Sequence, residues 1–299
     1  MTSSEVEVPQ GLRDMPRWRH ADASWLDRLP DLVAARVEAW GLAVDRSMAP
    51  RHGSNALVVA VTRQGEPLVL RLAPPADDIA AEVEALRFWA GRGVVRLVDA
   101  DVESGATLLE RLDPSRSAAT LPLSDAVPLL ATMMRRLAVP PAATATSTGD
   151  LVERRLAELE AEWRGLDQPF DRSVLDVALE HGRTLARPAT DLAVNADLHH
   201  DQVLAGTREP WLCVDPRMLR GDIEYDLGRV LWSRLDEMRQ DSDIRAHLAA
   251  AVSAGGLDAE RARSWVLFRT VDYWLWGLGA GFTDDPRRCA RLFGALKVL

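Results

Sequence analysis

The chain has 299 residues, 47% of them apolar, enough for a large buried core and for more than one folded unit. Its formal charge is 36 minus 45, or −9, which argues against nucleic-acid binding and suits a cationic small-molecule partner, although acidity also serves solubility alone. No apolar run is long enough to span a bilayer, the N-terminus lacks signal-peptide character, and Cys213 and Cys289 are too few for a disulfide framework, so a cytoplasmic protein without a membrane partner is expected.

In chain order, residues 1–20 read as a flexible extension. From Ser24 to Trp40, residues Trp25, Leu26, Leu29, Leu32, Val33, Val37 and Trp40 fall at helical spacings, with an interruption expected at Pro30. A turn at Gly53-Ser54-Asn55 leads into a strand from Ala56 to Val61, and Gln64-Gly65-Glu66 turns the chain back into Leu68 to Leu72. Ile79 to Ala90 reads as a helix, followed by strands at Val94 to Val98 and Ala106 to Glu110. Asp113-Pro114 closes this part, because the residue before proline is pushed out of helical space. Beyond it helices dominate: Leu123 to Leu137, Leu151 to Gly165, Ser173 to Leu185, Tyr225 to Met238, Ile244 to Ala254, Ala259 to Leu278 and Pro286 to Leu296.

One segment breaks the helical run. Val203 to Ala205 and Trp211 to Val214 are short apolar stretches around a turn with Gly206 and Pro210, the pattern of a β-hairpin. Asp197 lies on the loop before it, Gln202 follows five residues later, and Asp215 leaves its second strand. A kinase catalytic loop needs this set: a carboxylate to receive the acceptor hydroxyl's proton, then an amide and a second carboxylate to hold Mg²⁺ on the phosphates of ATP. The small residues Gly53 and Ser54 would let backbone approach those phosphates, as a covering loop requires.

Asp197-Leu198-His199-His200, Asp215-Pro216 and Gly221-Asp222-Ile223-Glu224-Tyr225-Asp226-Leu227 resemble the aminoglycoside phosphotransferases, in particular their streptomycin 6-phosphotransferase and hydroxyurea phosphotransferase branch. Ser24-Trp25-Leu26, Gly91 to Leu97 and Leu108 to Leu112 extend the resemblance over most of the chain. It implies an α+β, protein-kinase-like two-lobe fold. The N-terminal lobe, 1–112, would carry an antiparallel sheet and one helix; the mainly helical C-terminal lobe, 113–299, would carry the catalytic hairpin. It implies ATP and Mg²⁺, with Asp197 as base, Gln202 and Asp215 on the metal, and Ser54, Arg71, Glu82, Glu110 and Leu112 around the nucleotide. Glu82 would pair with Arg71, as kinase folds pair a strand cation with a helix carboxylate, and the backbone from Glu110 to Leu112 would meet the adenine edge. The family loop opens His-Gly-Asp where this chain has Asn195-Ala196-Asp197; its amide is Asn where this chain has Gln202; its strand cation is Lys where this chain has Arg71.

Asp222 and Asp226 read as structural carboxylates, and His199-His200, being adjacent, as loop-orienting rather than metal-binding. Asp272 and Trp276, with Tyr273 and Trp274, combine an acid with aromatics suited to a cationic sugar; the competing reading is a buried helix with its tryptophans in the core. The expected activity is ATP-dependent phosphorylation of a small cationic molecule, an aminoglycoside such as streptomycin, by a monomer, with antibiotic resistance as its role. The alternative is a fold of this kind that binds nucleotide or small molecule without efficient chemistry, which Arg71 would favour because Arg and Lys differ in shape and hydration.

Overall fold

The computed structural model describes residues 6–19, 23–53, 55–74 and 77–297. The chain divides into two compact units, Met1–Asp113 with Gly206–Pro210, and Pro114–Ala205 with Trp211–Leu299. In the first, helices α1 (Gln10–Arg13) and α2 (Ser24–Ala39) precede strands β1 (Ala43–Val44), β2 (Arg51–His52), β3 (Leu57–Arg63) and β4 (Glu66–Leu72). Helix α3 (Ile79–Trp89) then leads to β5 (Leu97–Asp101) and β6 (Ala106–Glu110). Among the described residues these strands form one antiparallel sheet in the order β1-β3-β4-β6-β5, with β2 also on β3.

Period-two alternation decides what each face of that sheet carries. Leu57, Val59 and Val61 of β3 and Leu68, Leu70 and Leu72 of β4 share a core with Trp25, Leu26, Leu29 and Val33 of α2. Arg71, between Leu70 and Leu72, therefore projects from the opposite face, with Val58 and Thr107 as its neighbours across the ladder.

Three expectations for this unit need correction. The N-terminal stretch is not a loose extension over the described residues 6–19: Leu12 is fully buried, and the Trp18 indole donates to the Leu12 carbonyl at 2.7 Å and stacks on Trp25 at 5.5 Å. Helix α2 is not interrupted at Pro30. Proline there costs about 3 kcal/mol of helix stability, and the buried stripe of α2 offsets it. The fifth strand starts at Leu97, because Gly91 and Gly93 take φ of 83° and 67° and keep the chain turning.

The second unit contains β7 (Asp113–Ser117), α4 (Leu123–Leu137), β8 (Thr146–Ser147), α5 (Thr148–Gly165), α6 (Arg172–Leu185), β9 (Leu192–Val194), β10 (Val203–Ala205), β11 (Trp211–Cys213) and β12 (Leu219–Gly221), β7 opening on the last residue of the first unit. It ends in α7 (Leu227–Ser233), α8 (Asp241–Gly255), α9 (Ala259–Gly279) and α10 (Asp284–Leu296). Helices α5, α6 and α9 share a core around Trp163, Leu175, Trp265 and Phe268. The described strands make two small sheets, β11-β10-β7 and β8-β12-β9. Strands β7, β8, β9 and β12 are too short, and β7 too polar, for hydrophobic alternation to announce them. The helix expected from Tyr225 to Met238 is cut to Leu227–Ser233. Arg234 leaves helical space at φ −125° and sends its guanidinium to the Leu121 carbonyl at 2.8 Å.

Candidate active site

Strand β9 delivers the loop that carries Asp197, and that loop is fixed from below by buried polar groups. Asn195 is 2% exposed; its amide donates to Cys213 Sγ at 3.2 Å and its Oδ1 accepts the Asp197 N–H at 3.2 Å. Ala196 sits in the left-handed region at φ 74°, and its N–H donates to Asp226 Oδ2 at 3.3 Å. Asp222, fully buried, accepts from the Ala189 N–H (2.8 Å), the Thr190 N–H (3.3 Å), the Trp265 indole (3.0 Å) and Arg261 Nε (2.6 Å). Gly221 precedes it at φ 138°, where an added Cβ would lie 2.1 Å from Thr148 Oγ1, so no side chain fits. These carboxylates are structural, and each ties the chain around Asp197 to a helix.

Burial pushes the Asp226 carboxyl up to about 7; the Arg269 guanidinium opposes the rise and the charge of Asp197 adds to it. His200 is fully buried with Nδ1 2.8 Å from Ser233 Oγ, and burial, helped by Arg234, pushes it down to about 4. A neutral His200 holding α7 is a loop-orienting residue. His199 faces Asp201 at 3.5 Å instead.

Asp197 remains partly open to solvent, its side chain 37% exposed. Gln202 Nε2 donates to its Oδ2 at 3.3 Å, and Arg229 Nε stands 3.4 Å from its Oδ1 as an ion pair without hydrogen-bond alignment. Arg229 escaped the sequence reading, although it lies one helical turn after Asp226, a spacing that puts both on one side. The hairpin register pairs Val203 with Cys213, and the Val214 N–H donates to the Gln202 carbonyl at 2.7 Å. Asp215, at φ 55°, is therefore one residue beyond the cross-strand neighbour of Gln202; aspartate tolerates this left-handed conformation.

Burial pushes the Cys213 thiol up and the Asn195 bond eases it, while the charges of Asp215, Asp226 and Asp197 push it further. All three charges reach one buried sulfur, while among the described residues no three His, Cys, Asp or Glu side chains are grouped to hold a metal by themselves, so a metal here would need nucleotide phosphates and water to complete its shell. Gln202 Oε1 is buried with no hydrogen-bond partner among the described residues, a hard oxygen donor at the start of the hairpin, opposite Val214. Oxygen donors of this kind fit Mg²⁺, which takes one or two carboxylates and completes its shell with phosphates and water.

In the first unit, Arg71 Nη1 donates to Glu82 Oε2 at 2.8 Å, with the two residues 8% and 9% exposed. The Glu110 carboxylate accepts from Arg208 at 2.8 and 3.2 Å and from the Arg96 N–H at 3.1 Å. Arg208 also donates to the carbonyls of Gly91 (2.7 Å) and Val94 (3.0 Å). Leu112 is buried, while Arg111 turns back to Asp45 (2.6 Å) and the Leu68 carbonyl (3.1 Å). Ser54 lies outside the described residues.

On α9 the core reading fails for Trp276, which is 53% exposed, while Trp274 is half-buried against Phe170, ring centres 4.6 Å apart. Trp276 stacks on Tyr273 at 5.1 Å and meets Phe282 edge-on at 5.4 Å. Asp272 accepts from Arg155 Nε at 2.7 Å, and the same guanidinium serves Glu158 and Glu162, so three carboxylates share one positive charge.

Residues 39–281 match the family described as aminoglycoside/hydroxyurea antibiotic resistance kinase. The chain belongs to this family. A streptomycin 6-kinase of Streptomyces glaucescens is 35% identical over 289 residues, covering 94% of each chain. A hydroxyurea phosphotransferase of Kitasatospora aureofaciens is 37% identical over 294 residues, covering 95% of this chain and 84% of the relative. The crystal structure of a thermostable mutant of aminoglycoside phosphotransferase APH(4)-Ia, in ternary complex with ADP and hygromycin B, superposes with a TM-score of 0.60 at 17% identity over 88% of this chain and 97% of that one. The fold of this antibiotic resistance kinase is accordingly α+β and protein-kinase-like. Among its described residues no helix is long and apolar enough to cross a membrane.

Two outcomes follow from the loop. Ala196→Gly removes a left-handed alanine and should stabilise the kinase by about 1 kcal/mol, raising Tm by about 2–4 °C in a thermal melt; an unchanged or lower Tm would count against strain at this position. Asp226 gains protons on folding, because its folded value lies above the ordinary carboxylate range, so its contribution to stability is lost as pH rises through about 7. Denaturant titrations at about pH 5 and about pH 8 should show a larger loss of stability in the native protein than in Asp226→Asn, and equal losses would overturn the assignment.

Proposed function

We propose that this chain transfers the γ-phosphoryl group of ATP to a hydroxyl of a small cationic acceptor, an aminoglycoside of the streptomycin type, and so confers antibiotic resistance. The observation that carries this reading is the hairpin cluster, with Asp197 solvent-accessible, Gln202 Nε2 against it, Gln202 Oε1 unpartnered and Asp215 one residue beyond the cross-strand neighbour of Gln202. Kinase relatives that match 94–95% of this chain support it.

In this mechanism the acceptor oxygen bonds to the γ-phosphorus, the bond from that phosphorus to the bridging oxygen breaks, and ADP leaves with the electron pair. The acceptor proton passes to an oxygen of Asp197. Gln202 and Arg229, one at each oxygen, fix the direction in which the carboxylate accepts. Bound Mg²⁺, held by Asp215 and Gln202, would supply charge neutralisation at the phosphates. Arg71, kept straight by Glu82, would contact the phosphates in place of a lysine, and Ser54 with the backbone from Glu110 to Leu112 would complete the nucleotide site. Trp276 offers an aromatic surface to a cation, and the surplus of acid around Arg155, including Asp272, favours the same charge.

An ADP-release assay over streptomycin, other aminoglycosides and hydroxyurea tests the reading. Turnover is expected with a guanidinium- or ammonium-bearing acceptor, and ATP binding without turnover on any acceptor would leave only a nucleotide-binding protein. Asp197→Asn should lower kcat by about 10²–10⁴-fold while ATP affinity stays within about twofold. A variant that kept most of the native rate would remove Asp197 from the chemistry. Asp215→Asn should weaken nucleotide binding only when Mg²⁺ is present; calorimetry giving equal affinities for Mg·ATP would remove Asp215 from the metal.

A further inference from the structure

The segment before residue 39, where the family match begins, holds a charge arrangement that the proposed chemistry does not use. Arg17 grips Asp77 with both prongs of its guanidinium, Nη1 to Oδ2 at 2.9 Å and Nη2 to Oδ1 at 2.7 Å. Asp77 Oδ2 also accepts from Asn55 Nδ2 at 2.9 Å. Asn55 directly follows the expected phosphate-covering turn, where the Gly53 N–H donates to the Ala56 carbonyl at 3.0 Å. The segment bears on this turn at a second point, since a Cβ on Gly11 would fall 2.4 Å from His52 Nε2. Arg17 is itself preset: its guanidinium carbon lies 4.9 Å from the centre of the Trp18 ring, and Trp18 is stacked on Trp25.

We infer that Arg17 is a positioning residue for the nucleotide site, one that neutralises Asp77 so that Asp77 can anchor Asn55 and with it the turn that precedes β3. The Asp77 side chain is only 16% exposed, so its charge is poorly screened. Burial works to raise its carboxyl, yet the bonds from Arg17 and Asn55 hold it below the usual range, and the charge of Arg71 is close enough to contribute. Without Arg17 a largely buried carboxylate loses its two-pronged partner and keeps an uncompensated charge beside Asn55.

This inference rests on the turn at Gly53 to Asn55 being part of a nucleotide site, and its test separates the two. Hydrogen exchange without nucleotide reports the brace itself: amides 52–56 should exchange faster in Arg17→Ala than in the native protein. For ATP, Arg17→Ala should raise KM by roughly ten-fold with kcat within about twofold. Adding Asp77→Asn should then bring KM back to within about threefold of the native value, because the uncompensated buried charge is gone. Asp77→Asn alone keeps an acceptor for Asn55 and should raise KM less than Arg17→Ala does. A purely structural role predicts the reverse, with the double variant worse than either single one. Unchanged exchange at 52–56 in Arg17→Ala, or a double variant no better than Arg17→Ala, overturns the inference. A native protein that bound no ATP would count against the proposed function, while the exchange result would still decide the brace.

Discussion

The arrangement around Asp197 depends on one costly act of burial. Asp222 is fully enclosed, and a carboxylate in that position is tolerable only with its charge matched and its lone pairs filled. Arg261 supplies the charge, while Trp265 and the amides of Ala189 and Thr190 fill the lone pairs. Those partners come from α9 and from the approach to β9, so satisfying one side chain draws a long helix and a short strand to the same point. Asp226, one turn later, is also buried and takes the Ala196 N–H, although its Oδ1 has no hydrogen-bond partner among the described residues. The loop that presents Asp197 is thus hung from two buried acids and does not depend on its own propensity.

Crowding of negative charge is the second constraint. Asp197, Asp215 and Asp226 all act on the Cys213 thiol, and they differ in what surrounds them. Asp226 is buried and its carboxyl is driven up to about 7, which removes one charge from the cluster in mildly acidic solution. Asp197 stays open to solvent beside Arg229. Environment, not residue type, makes the buried acid part of the scaffold and leaves the other open to solvent. The departures from the family loop fit this setting. Asn195 binds both the Asp197 amide and Cys213, and the longer Gln202 spans to Asp197 while its carbonyl oxygen stays unmatched.

Cations are deployed almost wholly as arginine, since Lys297 is the one lysine in the sequence. Arginine has a planar fork that grips a carboxylate with two parallel bonds, and several positions here exploit it: Arg17 on Asp77, Arg208 on Glu110 and Arg155 on Glu162. Arg71 belongs to the same habit. As a strand cation paired with a helix carboxylate it keeps its direction, because Glu82 fixes one prong at 2.8 Å.

How much of this the sequence declared depends on how local each feature is. The hairpin with Asp197, Gln202 and Asp215 was legible because strand, turn and strand lie within about twenty residues, and side-chain alternation and turn chemistry act at that range. The long amphipathic helices and the first sheet were legible for the same reason, through periodicity. Strands β8, β9 and β12 were not, because two or three residues carry no period, and neither was β7, whose five residues are polar apart from one proline. Tertiary structure alone decided that residues 6–19 pack, that α2 runs through Pro30 and that Trp276 faces solvent, since each outcome turns on what surface a neighbouring element offers. It alone also joined Arg17 to Asp77, sixty residues apart, and Arg229 to Asp197. Charge pairs leave no spacing rule in a sequence; only the folded chain, by excluding water and fixing distance, selects which of many arginines meets which acid.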